Sequence, residues 1–354
     1  MKTFALVPFT ILATAIVGFG QGPLTPPPGA PAPVMKSLDQ VEARTPLVAG
    51  QTGVAINANG SITISQPGSY YLTKNLTITA AGADGITVAA SFVTLDLNGF
   101  SLINVTGNGS NAVVIAGGNV TVRNGTIRGG STWAGSVFTP AGWDEGITTN
   151  SNYPNMVAEN ISVFGTRDTG ISLYYEGSRI EHCSVHTTGG NGLYASSISF
   201  STARKIGGTA ISASTAPDSG SVSNCFGEAV SPSGYGIYAP DAAVSNSKGL
   251  AVGGAGISAR TAENCSGTSV SDVGLVATAA NNCRGLSTSG IGINSTICTN
   301  CHGQSISGSY GILATLATSS VGSRPNGVAI SANSVNGCYA VGGTITTSNK
   351  YNTP

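Results

Sequence analysis

The sequence predicts an all-β chain wound as a right-handed parallel β-helix solenoid with an N-terminal cap. Three observations predict it. Asn246, Asn264, Asn282 and Asn300 follow one another at intervals of 18 residues. Four asparagines of the wider column precede a cysteine: Asn224-Cys225, Asn264-Cys265, Asn282-Cys283 and Asn300-Cys301. A small residue followed by an aliphatic one opens each unit, as in Gly236-Ile237, Gly256-Ile257, Gly274-Leu275, Gly292-Ile293 and Gly311-Ile312. Self-similarity at a fixed short period marks a stacked repeat. The apolar segments are too short for helices, which need about 10 residues or more, and Gly/Asn turns bound them as they bound strands.

Each element of the repeat has a physical reason. Neighbouring coils of a β-helix lie about 4.8 Å apart, so equivalent residues sit over one another. Asparagine tolerates the left-handed backbone conformation of a tight corner. Its amide both donates and accepts, so stacked asparagines can bond along the axis as a ladder. Aligning earlier coils extends the column to Asn98, Asn124, Asn160 and His182. The adjoining column reads Ile161, Cys183, Cys225, Ser247, Cys265, Cys283, Cys301, Ser320 and Cys338, small residues suited to a crowded interior position. A left-handed β-helix has coils of similar length, but no sustained six-residue apolar period is present. With 40% hydrophobic residues and zero net charge, the composition excludes a disordered chain.

The N-terminus reads differently. Residues 1 to 20 have the form of a secretory signal: Lys2, an apolar run from Phe4 to Phe19, and the small residues Gly18 and Gly20. The run is shorter than a comfortable membrane span and contains Pro8, so the mature chain is expected to carry no span. Residues 21 to 46 are a Pro-rich spacer, with a short helix allowed over Met35 to Thr45. Residues 47 to 80 are cap strands, 81 to 345 the β-helix and 346 to 354 a tail.

Three stretches carry a family resemblance. They are Gln66-Pro-Gly-Ser-Tyr-Tyr-Leu-Thr73, Val93-Thr-Leu-Asp-Leu-Asn-Gly99 and Val120-Thr-Val-Arg-Asn-Gly-Thr-Ile-Arg128. They resemble those of secreted bacterial right-handed parallel β-helix proteins of the pectate-lyase-like superfold, over roughly residues 61 to 345. The resemblance implies the coil architecture and an extracytoplasmic bacterial location. It does not imply one activity, since polysaccharide lyases, glycoside hydrolases, epimerases and proteins without known activity share the fold.

Other chemistries find little support. Cys265, Cys283 and Cys301 are read as a row of buried thiols filling space, and a bridge between Cys265 and Cys283 or between Cys283 and Cys301, within reach on adjacent coils, is the alternative. Cys298 adds a single C-x-x-C with Cys301, and zinc needs four ligands. His182 and His186 on one strand would stand about 13 Å apart, too far to share a metal. No metal and no cofactor is expected. Phosphate-binding glycine motifs are absent, and 15 basic residues balance 15 acidic ones, which argues against nucleic acid. The outward Ser/Thr pattern is too irregular for an ice-binding array.

Polar chemistry concentrates between residues 133 and 186, which hold both tryptophans and six of the 15 acids. The gap from Asn124 to Asn160 exceeds one coil, so a loop around Trp133 to Glu145 projects from the scaffold, where binding sites usually form. Aromatic faces stack on sugar rings, and carboxylates bind hydroxyls or act as an acid/base pair. The candidate glycan-binding residues are Trp133, Trp143, Asp144, Glu145, Asp168, Tyr174, Tyr175 and Glu176. The expected function is a secreted structural or surface protein, a monomer, that engages extracellular polysaccharide through residues 131 to 186. The alternative is a polysaccharide-active enzyme of the lyase, hydrolase or epimerase type. Against that alternative, the paired Asp-Asp, Gly-His-Gly and Arg-x-Lys runs of polygalacturonase-type enzymes are missing.

Overall fold

A computed structural model describes residues 44–105, 109–173, 175–213 and 220–353. The signal, nearly all of the spacer and the helix allowed over Met35 to Thr45 lie outside these residues. The described residues contain no helix, and the strands after the cap pair in parallel from coil to coil, except for one two-stranded antiparallel sheet. The fold is the predicted parallel β-helix.

One coil shows how the sequence winds. The strand Ile257–Glu263 begins in a first sheet, turns a corner at Arg260 and ends in a second. Asn264 makes the next corner with a φ of 53°. Ser266–Ser269 then runs in a third sheet before the chain returns to Leu275, directly over Ile257. The first sheet points Ile86, Val113, Ile147, Ile171, Leu193 and Ile211 into one dry core, each fully buried. Alternate residues face out, as the period of a strand requires.

The asparagine ladder is present. Asn98, Asn124, Asn160, Asn224, Asn246, Asn264, Asn282 and Asn300 all hold φ between 52° and 58°, except Asn246 at 48°. The Asn282 amide donates to Asn264 Oδ1 at 3.0 Å, and the Asn264 amide to Asn246 Oδ1 at 3.3 Å. Asn160 donates to Asn124, and Asn124 donates to the Asp96 carboxylate. His182, expected as a hydrogen-bonding member, keeps the corner conformation with a φ of 52°. Its ring stacks instead on Phe200, 5.0 Å away and 4° from parallel. Phe200 holds the same corner on the next coil, so ring stacking bridges the lapse in the amides.

The corner conformation and the amide bond make separate contributions. Asn282→Ala is expected to lower stability by about 1–3 kcal/mol, from left-handed strain and a lost ladder bond. Asn282→Gly removes the strain but not the lost bond, so its denaturation midpoint should fall between alanine and the parent. A glycine variant no more stable than alanine would show that backbone strain contributes nothing here.

All seven cysteines are free and buried. Each stacked thiol lies between two carbonyl acceptors, at 3.1 Å from Glu263, Asn281 or Thr299 in its own coil and at 3.4 Å from Val244, Ala262 or Ala280 in the previous one, for Cys265, Cys283 and Cys301 in turn. Burial pushes the Cys183 thiol up to about 12 and Cys225 to about 11, so these two stay protonated and inert.

At the N-terminal end, Thr45–Pro46 pairs with Tyr70-Tyr71, so Thr45 is strand rather than helix. The antiparallel partner Val54–Ile56 closes the edge of Ile62–Ile64. At the other end the strand Tyr339–Tyr351 keeps its pairing to Tyr351, past the boundary expected at 345.

Candidate functional site

Between Arg128 and Ile147 the chain leaves its coil. Thr132–Ala134 and Val137–Thr139 pair as an antiparallel hairpin around Gly135, whose φ of 60° makes the tight reversal. Trp133 and Phe138 face each other across it, with ring centroids 5.1 Å apart. Ser131 Oγ closes the base, donating to the Ala141 carbonyl and accepting from the Ala141 amide, both at 2.9 Å. The tip reaches two coils along: the Trp133 indole N–H donates to the Thr188 carbonyl at 3.2 Å. Phe138 rests on Gly189, where a Cβ would overlap its ring. The hairpin is therefore a fixed wall. Trp133 is half-buried, with an edge left to solvent.

Beside this wall runs a ledge, the turn from the third sheet back to the first. Backbone bonds place Ser110, Asp144, Asp168 and Gly190 in one column: Asp144 N–H to Ser110 O at 2.8 Å, Asp168 N–H to Asp144 O at 2.8 Å and Gly190 N–H to Asp168 O at 3.1 Å. The next column holds Asn111, Glu145, Thr169 and Asn191. Two aspartates thus sit on successive coils, about 4.8 Å apart along the backbone, with Glu145 adjoining both. Arg167 Nη1 pairs with Asp144 Oδ1 at 3.1 Å, and both side chains are part-exposed. The Asp168 carboxylate is exposed and folds over Gly190. Burial raises the Glu145 carboxyl above the usual range; Thr148 opposes this with a hydrogen bond, and Asp168 and Asp144 add to the rise.

The structure divides the residues chosen from sequence. Trp133, Asp144, Glu145 and Asp168 converge on the ledge. Trp143 does not: its side chain is fully buried, against Gly85 in the core, so it has no face to offer a sugar. This corrects the expectation. Trp143 lies where the chain re-enters its coil after the hairpin, and its bulk fills the interior there. Tyr175 and Glu176 are exposed, but on the turn at the far end of the first-sheet strand Ile171–Ser172. They border a different corner, with Glu176 O accepting from the Asn155 N–H at 3.1 Å. Tyr174 lies outside the described residues.

Sequence reasoning missed Arg167 as the partner of Asp144, and it missed a second assembly. On the outer face of the third sheet, Arg128, Phe164, His186 and Arg204 occupy equivalent positions on successive coils. The signal was present, since these residues fall at a constant offset from the asparagine column. It becomes readable only when the third strand of each coil is placed in register.

No family model matches the chain, and no curated protein does. Among solved structures, the A-modules of the mannuronan C-5 epimerases AlgE6 and AlgE4 of Azotobacter vinelandii are similar. Their TM-scores are 0.49 and 0.44, and each is 12% identical. The matches cover 81% and 80% of this chain and 90% and 88% of theirs. A likeness at this level says nothing of substrate or residue roles here.

Proposed function

We propose that the chain is an extracellular glycan-binding β-helix that holds a polysaccharide on the ledge between the hairpin and the first sheet. One observation carries the reading. Three carboxylates and one arginine, Asp144, Glu145, Asp168 and Arg167, converge beside a fixed aromatic wall. Carboxylates accept from sugar hydroxyls, the guanidinium donates to ring and hydroxyl oxygens, and the Trp133 edge packs on the apolar face of a pyranose. The signal expected over residues 1 to 20 supports an extracellular place. No described helix is long and apolar enough to cross a membrane.

A second reading has its own support. Glu145 is held toward its neutral form by burial, while Asp144 has a cation at hand in Arg167. A buried carboxyl near an exposed one, as Glu145 is to Asp168, is an arrangement used for acid/base catalysis on glycans. In that reading Glu145 delivers a proton to a leaving oxygen, and Asp168 acts as the exposed base.

A glycan array followed by a degradation screen tests both. Asp168→Ala is expected to weaken binding of the best glycan at least tenfold. An unchanged affinity in the folded variant would overturn the ledge as the site. Product formation lost in Glu145→Gln, with binding retained, would establish the catalytic reading. The same variant has a stability signature. A raised carboxyl binds its proton more tightly in the folded chain, so it costs stability as pH rises through the ordinary glutamate range to its folded value. Glu145→Gln should therefore melt no lower than the parent at pH 7.

A further inference from the structure

We propose that the outer face of the third sheet, from Arg128 to Lys248, is a binding track for an anionic polysaccharide, separate from the ledge. The register sets out the track. In its upper column Arg128, Phe164, His186 and Arg204 follow coil by coil. In its lower column Thr202, Phe226, Lys248 and Ser266 do the same. A register shift between Ala203 and Ile206 turns Lys205 outward beside Arg204, with a φ of 54°. Such bulges re-aim side chains out of a regular strand.

The cations are poised rather than spent. Arg44 and Arg123 pair with Asp96, Arg167 with Asp144 and Arg179 with Glu181, and among the described residues no ion pair engages Arg128, Arg204, Lys205 or Lys248. All four are exposed. The Arg204 guanidinium lies 4.1 Å from the Phe226 ring centroid, and Lys248 Nζ lies 6.0 Å from the same ring. That stacking holds the charged ends in place without neutralising them. Glu228 is the acid among them, set against four cations. The chain as a whole is neutral, with 15 acids and 15 bases, so this face is a local positive excess.

The shape fits an extended chain. A hollow of about 280 Å³ at one end is lined by Arg128, Thr132, Phe164 and Thr187. One of about 560 Å³ at the other is lined by Asn224, Phe226, Asn246 and Lys248. Phe164 is 43% exposed and offers its ring to the apolar face of a sugar. Successive coils advance by about 4.8 Å, close to the rise of one pyranose in an extended glycan, so sugar units and coils can keep step. The Arg204 guanidinium covers Phe226, so Phe164 is the one open phenyl ring in these two columns. An acidic glycan is therefore favoured over a single-stranded nucleic acid, whose successive bases stack on several aromatic platforms.

Affinity electrophoresis of the full chain tests the track with soluble glucans of one backbone: carboxymethylcellulose, cellulose sulfate and neutral hydroxyethylcellulose. Retardation by the charged polymers alone is expected, weakening about tenfold between 50 and 300 mM salt. The two charged polymers distinguish carboxylate from sulfate as the anion. The double variant Arg204→Ser/Lys248→Ser is expected to lose at least tenfold in affinity. So is Arg128→Ser/Lys205→Ser, which leaves the Phe226 stack intact and so guards against a folding artefact. Lys74→Ser, which removes an exposed cation outside both sites, should bind the charged polymers as the parent does, so a loss in the double variants is not one of net charge alone. Equal retardation by hydroxyethylcellulose, or unchanged binding in both folded double variants, would overturn the proposal. Tighter binding of a random single-stranded oligonucleotide than of either charged glucan would also overturn it.

Discussion

Gly267→Val is expected to abolish folding of the C-terminal coils. Gly267 belongs to a column inside the third sheet whose members are Leu102, Ile127, Val163, Val185, Ala203, Gly227, Gly249, Gly267, Gly285, Gly303 and Gly322. The column shrinks from leucine to glycine along the axis, so the interior narrows. At Gly267 the third sheet meets the start of the first sheet of the next coil backbone to backbone. A Cβ there would overlap the Gly274 carbonyl, and the same holds for Gly249 against Gly256 and Gly285 against Gly292. Facing them, a Cβ at Gly256 would overlap the Thr268 amide. The obstacle is backbone on both sides, and no rotamer change relieves it. Overpacking against movable side chains costs about 1–3 kcal/mol, and a rigid obstacle repeated along a stack costs more. A loss above about 4 kcal/mol is expected, read as a missing or early unfolding transition. Thr268→Val, on the outer face of the same strand, should stay within about 0.5 kcal/mol. A Gly267→Val protein with the parent's midpoint would show that the sheets do not touch here.

The second large effect is expected at Asp96. Its side chain is 6% exposed and takes Arg44 Nη1 at 3.1 Å and Arg123 Nε at 3.3 Å. It also accepts from the Asn98 N–H at 2.8 Å and from the Asn124 amide at 3.3 Å. Each ladder amide donates to the coil before it, from Asn160 to Asn124 and from Asn124 to Asp96. The final acceptor of that run is a carboxylate, whose charge strengthens the bonds that point at it. Asp96→Ala removes the acceptor that Arg44, stacked on Tyr71, shares with Arg123. Losing one partner of a buried pair costs about 3–5 kcal/mol. The two arginines, 28% and 38% exposed, recover part of that from water, so about 2–4 kcal/mol is expected by denaturant unfolding. Asp96→Asn keeps an acceptor for Asn98 and isolates the charge. A change below about 0.5 kcal/mol in the alanine variant would mean that the cluster is incidental to stability.

Much of this architecture was written into the chain because its repeat is local. Asparagine before a small interior residue, and glycine before an aliphatic one, report a corner and a strand entry within a few residues of each other. One coil is then repeated, and the fold follows. The departures were also local where they could be read: the long gap from Asn124 to Asn160 marked an insertion, and the structure builds the hairpin of Trp133 and Phe138 there.

The site was less legible, because stacking brings together residues that sequence spacing separates unevenly. Coils with and without insertions place Asp144 over Ser110 and under Asp168, a neighbourhood that requires the register of every coil. Trp143 and Asp144 are adjacent in sequence, yet one fills the core and the other faces solvent, because the chain is re-entering its coil at that point. Tyr175 and Glu176 seemed near Asp168, but a first-sheet strand intervenes and carries them to another corner. The residues alone established the winding, the ladder and the cysteine column, since each is a one-dimensional period. Which acids share a ledge, which cations share a face and how tightly glycines must meet were settled by the tertiary fold. Those properties depend on the offset between neighbouring coils, and that offset exists only once the coils have stacked.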